Sequence, residues 1–254
     1  YVGEAGFEAM VPDTYPAEIA EALKAIPEFH DRERRLDFLS NRTFRESVFV
    51  KAQQPAKQPD QRSLATLYVA SPLKRNVDAS ADQTTIAYQS PSGTDIAVEP
   101  GVTEAALDEL ARCYPEALSL ETILGRVQRA GHQPLEQSAI MSLMSALFAA
   151  YARGLIYLHS TSPRVRSVAP DRPMAPALAR AQAGRGTRVT TMLLENIEID
   201  DADCRMILPH LDGQLDRATL ATLLSSGSGD PSQRLDIALG KLAHVGLLTE
   251  REAP

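Results

Sequence analysis

Tryptophan is absent from this sequence of 254 residues, cysteine occurs only twice, and no long apolar run is present. Cys113 and Cys204 are too few for a disulfide framework or for a zinc site built of four thiolates. A membrane-spanning helix needs about 20 apolar residues, and no stretch of the sequence provides them. The N-terminus also lacks the basic, apolar and small-residue order of a signal peptide. These absences predict a protein of the reducing cytoplasm.

The sequence has fewer basic than acidic residues: 26 lysines and arginines and 33 aspartates and glutamates give a formal net charge of -7 at pH 7. Nucleic acids and anionic membranes would repel such a chain at long range. We therefore predict no nucleic-acid partner and no membrane partner. The sequence opens with Tyr1, and the residues Tyr1 to Glu4 have the character of an edge strand or a connector. We accordingly expect a further segment upstream.

Helical and extended patterns alternate through the first hundred residues. Pro16 suits a helix start, and a second helix is predicted to end near Asn41, before extended residues up to Val50. The turn Pro91 to Gly93 lies between two runs of alternating character and predicts a β-hairpin.

From Thr103 the apolar spacing becomes helical and predicts three helices followed by a strand, the order of a winged-helix unit. The third helix carries the clearest pattern and is predicted to end at Gly154, before a strand from Leu155 to Leu158. The same order recurs beyond residue 200. Four positions match at a constant offset: Leu147, Gly154, Leu155 and Ile156 correspond to Leu239, Gly246, Leu247 and Leu248.

The two units are separated by an arginine-rich connector with several prolines, predicted to be extended at first, with a possible short helix from Ala175 to Ala183. The predicted fold class is therefore α+β and mostly α. Its parts are an N-terminal module with a small β-sheet at 1–100, a winged-helix-like unit at 101–162, the connector at 163–195, and a second winged-helix-like unit at 196–254.

A nine-residue motif, Asp37 to Arg45, resembles the signature of the predicted methyltransferase regulatory domain, which follows a methyltransferase domain in bacterial proteins. The flanking segments Val2 to Ala5, with Met10 and Pro12, and Leu67 to Pro72 are similar to the beginning and end of that family. Later segments also resemble long proteins of this kind, among them the protein lysine methyltransferases of Rickettsia: Arg172 and Pro173, Ala177 to Arg180 with Gln182, Val189 and Thr190, and Leu211 to Gly213 with Asp216 and Arg217.

The resemblance implies an accessory region for regulation and recognition of a protein substrate, and it supplies no catalytic residue to carry over. The residues themselves predict no metal site, because the five histidines show no pair at ligand spacing, and no cofactor-binding residues. The methyl donor S-adenosylmethionine would be bound by an upstream methyltransferase domain of the same polypeptide. The candidate regulatory or partner-contact residues are Asp37, Asn41, Arg42, Phe44, Arg45, Tyr68 and Ser71. Arg42 and Arg45 could either lock a helix end through forked hydrogen bonds or contact the catalytic domain or a substrate carboxylate.

Two other functions remain open at this stage. The chain could be a winged-helix DNA-binding regulator, although the third helix of the first unit has no charged residue and the third helix of the second unit balances its cations with aspartates. It could also be an enzyme by itself, although the one glycine cluster, Gly184 to Gly186, lacks the preceding strand and following apolar helix of a nucleotide-binding turn. The accessory region that the resemblance implies could also form a homodimer.

Overall fold

In the computed structural model, the described residues are 3–4, 11–53, 60–76, 84–131 and 135–250. Val2, Ala5 and Met10 of the family resemblance lie outside them. The chain divides into two compact units: the first is formed by residues 1–69, 73–108 and 119–158, and the second by 70–72, 109–118 and 159–254. Within the described ranges, no helix is both long and apolar enough to span a bilayer.

Helices dominate and the strands are short, which confirms the predicted α+β, mostly helical fold class. The helices are α1 Ala17–Lys24, α2 Phe29–Leu39, α3 Val102–Cys113, α4 Leu120–Arg129, α5 Gln137–Ala152, α6 Ala177–Ala183, α7 Ala202–Ile207, α8 Arg217–Leu223 and α9 Pro231–His244. The strands are β1 Gly3–Glu4, β2 Ser47–Val48, β3 Tyr68–Ala70, β4 Lys74–Arg75, β5 Ile86–Gln89, β6 Asp95–Val98, β7 Leu118–Ser119, β8 Tyr157–His159, β9 Arg188–Thr190 and β10 Asn196–Glu198.

Small antiparallel sheets support the helices of the first unit. β1 pairs with β2, and β5 pairs with both β4 and β6. The predicted hairpin is present, because β5 and β6 pair as antiparallel neighbours. In the turn between them Gly93 adopts a φ of 84°, which glycine tolerates.

Helix α5 ends as the sequence predicts. Gly154 has a φ of 67°, and the N–H of Leu155 donates to the carbonyl of Ala150, as in a Schellman C-cap. Because Leu155 takes part in this cap, strand β8 begins at Tyr157, two residues later than the apolar pattern suggests. Leu143 and Leu147 are fully buried on the inner side of α5.

Helix α9 ends in the same way, which gives the internal repeat a structural basis. Gly246 has a φ of 73°, and the N–H of Leu247 donates to the carbonyl of Leu242. Leu247 and Leu248 are then buried in the second unit, as Leu155 and Ile156 are in the first. The constant offset seen in the sequence therefore marks two equivalent helix ends.

The segment expected to connect the two winged-helix-like units contains regular structure. It includes the short helix α6, as the sequence allowed, and strand β9, which pairs with β10. Ala179 of α6 and Val189 of β9 are buried in the same core as α7, α8 and α9. The predicted domain boundaries remain a prediction, but these residues pack as part of the second unit.

Four separate segments of the second unit meet in an irregular sheet. Val165 bridges Thr249, and Met174 bridges Asp212, each in antiparallel fashion. The N–H of Thr249 donates to the carbonyl of Met174 over 2.9 Å and joins the two bridges. Thr249 is buried at the centre of this arrangement.

Candidate functional site

Four charged side chains form a compact cluster in the N-terminal module. Arg42 lies 3.8 Å from Glu4 and 3.4 Å from Asp37, while Arg45 lies 3.6 Å from Glu4. Arg45 also donates from both Nε and Nη2 to Oδ2 of Asp37. Only 3% of the Glu4 side chain and 14% of the Arg42 side chain are exposed, so the pair between them is largely desolvated.

The local fold explains why these residues meet. Helix α2 ends at Leu39, and Asn41, two residues further on, has a φ of 49°, a conformation that asparagine tolerates better than most residues. The N–H of Arg42 donates to the carbonyl of Asp37, which completes a Schellman cap and turns the chain back along the helix. Strand pairing of Glu4 with Ser47 brings the acidic side chain to the two arginines, and Ser47 Oγ donates to Glu4 over 2.9 Å.

Asp37, Asn41, Arg42 and Arg45 are thus brought together, and their contacts are those expected of the helix-end role. The two guanidinium groups neutralise Glu4 and Asp37, so they bind within the chain in this structure. The arrangement holds these four charged side chains in fixed positions relative to one another.

Three phenylalanine side chains within residues 38–49 are unusually exposed. Phe38 is 86% exposed and Phe44 is 88% exposed, and they adjoin Asp37 and Arg45, whose side chains are directly bonded. Phe49 follows β2 and is 70% exposed. We refer to Phe38, Phe44 and Phe49 as the phenylalanine surface. Large exposed apolar groups concentrated in one module are typical of a protein-contact surface.

The remaining two candidates belong to a different part of the fold. Tyr68 is half-buried on β3, and Ser71 follows that strand and is fully buried. Their elements differ from those that carry the ion-pair cluster. Burial of Ser71 leaves it no surface with which to meet a partner directly.

Sequence reasoning missed two features of this region. Glu4 was part of a family match but was not recognised as the buried partner of the arginines, because the contact requires β1 to pair with β2 across more than forty residues. The exposure of Phe38 and Phe49 was not predicted either. The helical period does contain a signal for Phe38, since it lies about 200° around the helix from the buried Leu36.

The described residues contain no group of three or more histidine, cysteine, aspartate or glutamate side chains that could hold a metal ion. Gly184 follows the end of α6, and the chain then enters β9 through Gly186. This short helix precedes the glycines, whereas a phosphate-binding turn places glycines before the helix N-terminus.

The helices that could read DNA have little free positive charge. Helix α5 has no charged residue along its length. On α9, Arg234 pairs with Asp203, and Lys241 donates to Asp201 over 2.6 Å. The hydrogen bond from Lys241 is the main cause that lowers the pKa of Asp201 to about 2.

Comparisons with protein families support this architecture. Residues 1–51 match the model of the predicted methyltransferase regulatory domain, and residues 171–228 match the family described as PKMT, C-terminal winged helix domain. The regulatory-domain resemblance predicted from the motif is therefore confirmed. The winged-helix match begins inside the arginine-rich segment, in agreement with the packing of α6 and β9.

Among solved structures, PKMT2 from Rickettsia typhi is similar with a TM-score of 0.80 and 18% sequence identity, covering 98% of this chain and 55% of that one. PKMT2 from Rickettsia typhi in complex with AdoHcy gives a TM-score of 0.78 and 19% identity with the same coverage. At these identities the likeness establishes the fold, and this chain spans about half the length of PKMT2. No curated protein matches the sequence.

Proposed function

We propose that this chain is the non-catalytic regulatory and substrate-recognition region of an S-adenosylmethionine-dependent methyltransferase that acts on a protein. The methyl donor would be bound by a separate, upstream methyltransferase domain of the same polypeptide. In support, two segments match families that belong to methyltransferases, and the similar PKMT2 is known in complex with AdoHcy.

The phenylalanine surface is the observation on which this proposal depends most. It lies within residues 1–51, the segment that matches the regulatory-domain family. Since Arg42 and Arg45 are already paired with Glu4 and Asp37, we assign the contact with the methyltransferase domain chiefly to Phe38 and Phe44. The ion pairs would serve to hold these two rings in position.

Such an accessory region would act by positioning. Holding the acceptor protein beside the donor turns a bimolecular encounter into an almost unimolecular one, which removes much of the entropic barrier. We propose no nucleic-acid role, because α5 carries no charged residue and the cations of α9 pair with Asp201 and Asp203, which leaves neither helix suited to read a DNA groove.

The test uses the methyltransferase domain as a separate polypeptide, with binding to this chain measured by biolayer interferometry. Burial of one phenylalanine is worth about 1.5–3 kcal/mol, so Phe38→Ser with Phe44→Ser should weaken binding at least tenfold. The matched control is Val168→Ser, which removes a side chain 73% exposed in the second unit and should leave the affinity unchanged.

Methyl transfer from labelled S-adenosylmethionine to the acceptor should also change when the chain is added to that domain. The proposal would be wrong if the isolated chain transferred methyl groups, or if neither binding nor transfer depended on Phe38 and Phe44. For the DNA-binding alternative, titration with duplex DNA should show no salt-dependent binding that reaches saturation.

A further inference from the structure

Two neighbouring cavities occur in the described part of the second unit. One has a volume of about 350 Å³ and is lined in part by Arg166 and Arg172. The other has a volume of about 450 Å³ and is lined in part by Arg164 and Arg180. Met174 and Thr249 form part of both walls, so the two cavities adjoin each other. We call them together the arginine groove.

Charge in this region is opposite to that of the whole chain. Residues 163–188 contain six arginines and one aspartate, whereas the protein as a whole carries a formal net charge of -7. Four of the six arginines line the groove. A positive concavity of this kind attracts an anionic partner even when the remaining surface is acidic.

The guanidinium groups retain donors that could bind such a partner. Arg164 is exposed and has no hydrogen bond or ion pair with any described residue, and Arg166 is 3.7 Å from Glu250. Arg172 uses Nη1 to reach the carbonyl of Gln214, and Arg180 uses Nε to reach that of Ala175. Since each guanidinium has five N–H groups, most of the donors lining the groove are not used in these contacts.

The backbone beneath these side chains is held firmly. Arg166 donates its N–H to the carbonyl of Leu248, and Thr249 donates to that of Met174. Thr249 and Ala175 are buried, so the irregular sheet fixes the positions from which the arginines extend. A preorganised site loses less entropy when it binds a ligand.

The shape and lining of the groove favour a peptide over other anions. Met174, Met192 and Pro170 provide apolar walls that would contact aliphatic side chains, and the volumes far exceed that of an inorganic anion. Asp171 and Glu250 interrupt the positive lining and would repel a continuous phosphate backbone. Forked guanidinium groups suit individual carboxylates.

We propose that the arginine groove binds an acidic peptide segment of a partner protein, with carboxylates paired to Arg164 and Arg166 and apolar side chains against Met174. The assignment is independent of the contact proposed for the phenylalanine surface, because it uses different residues in the other unit.

Fluorescence anisotropy of the full chain with a labelled peptide that alternates glutamate and leucine tests this proposal. The control peptide has glutamine in place of each glutamate and should bind at least tenfold more weakly. The variant Arg164→Gln with Arg166→Gln should weaken binding of the acidic peptide by about tenfold or more, because each charge-assisted hydrogen bond contributes substantially.

Arg185→Gln with Arg188→Gln is the matched control, since it removes the same charge from two exposed arginines of the segment that line neither cavity. Its affinity should change less than threefold, and circular dichroism should show that both variants fold. The proposal is overturned if the two variants weaken binding equally, if the glutamine peptide binds as well, or if inorganic phosphate or duplex DNA displaces the peptide at comparable concentrations.

Discussion

Removal of Arg42 should destabilise the N-terminal module far more than removal of an exposed arginine. In Arg42→Met the Glu4 side chain, 3% exposed, keeps only Arg45 and Ser47 of the partners described above. Breaking a buried ion pair from one side costs about 3–5 kcal/mol, and the remaining Arg45 reduces the expected loss to about 2–4 kcal/mol. Arg35→Met, on the exposed side of α2, should change the free energy of unfolding by about 0.5 kcal/mol or less.

Urea denaturation followed by circular dichroism at 222 nm measures both changes, since the absence of tryptophan limits fluorescence. If the loss comes from the stranded Glu4 carboxylate, then Glu4→Gln combined with Arg42→Met should recover about 1–3 kcal/mol. The explanation is refuted if Arg42→Met lowers the free energy of unfolding no more than Arg35→Met does. It is also refuted if adding Glu4→Gln to Arg42→Met lowers that free energy further.

Three further predictions concern elements that do not take part in this ion-pair cluster. Gly154→Ala should lower the free energy of unfolding by about 1–2 kcal/mol, because alanine is strained at a positive φ and its Cβ would meet no other atom. Gly246→Ala should lower it further, because its Cβ would also lie 3.1 Å from Leu193. Equal effects in calorimetry would contradict this. The pKa of Asp201 is lowered, so its ionised carboxylate stabilises the folded state at pH values above the ordinary carboxyl pKa near 4, and this contribution is lost as pH falls towards about 2. Asp201→Asn should therefore flatten the acid-unfolding profile in this pH range. An unchanged profile would exclude the Lys241 contact. Tyr88→Phe should cost about 1–2 kcal/mol in chemical denaturation, because the buried hydroxyl donates to Asp108 Oδ1 over 2.6 Å; an unchanged free energy of unfolding would contradict this.

Local signals in the sequence predicted much of the fold. Asn41, Gly93, Gly154 and Gly246 all lie where the backbone has a positive φ, and each marks the end of a helix or a hairpin turn. These conformations depend on a few adjacent residues, so the amino-acid type is informative by itself.

Long-range contacts were harder to predict. The arginine-rich segment looked like a linker because its prolines and charges carry no clear period, yet its backbone is held by Leu248 and Leu211, which are distant in sequence. For the same reason the pairing of Glu4 with Arg42 was not foreseen. The candidate residues around Asn41 were identified from a motif, but their structural relation to Glu4 required the fold.

The central place of Thr249 has a consequence for biosynthesis. The ribosome makes Val165, Met174 and Asp212 before it makes the residue that joins their strands, so the irregular sheet cannot close while the chain is still growing through the preceding helices. Until then the carbonyl of Met174 lacks the N–H of Thr249 that it accepts, and Val165 lacks its bridge partner. A translational pause or premature stop just before Thr249 should leave a polypeptide that chaperones and proteases recognise as unfinished.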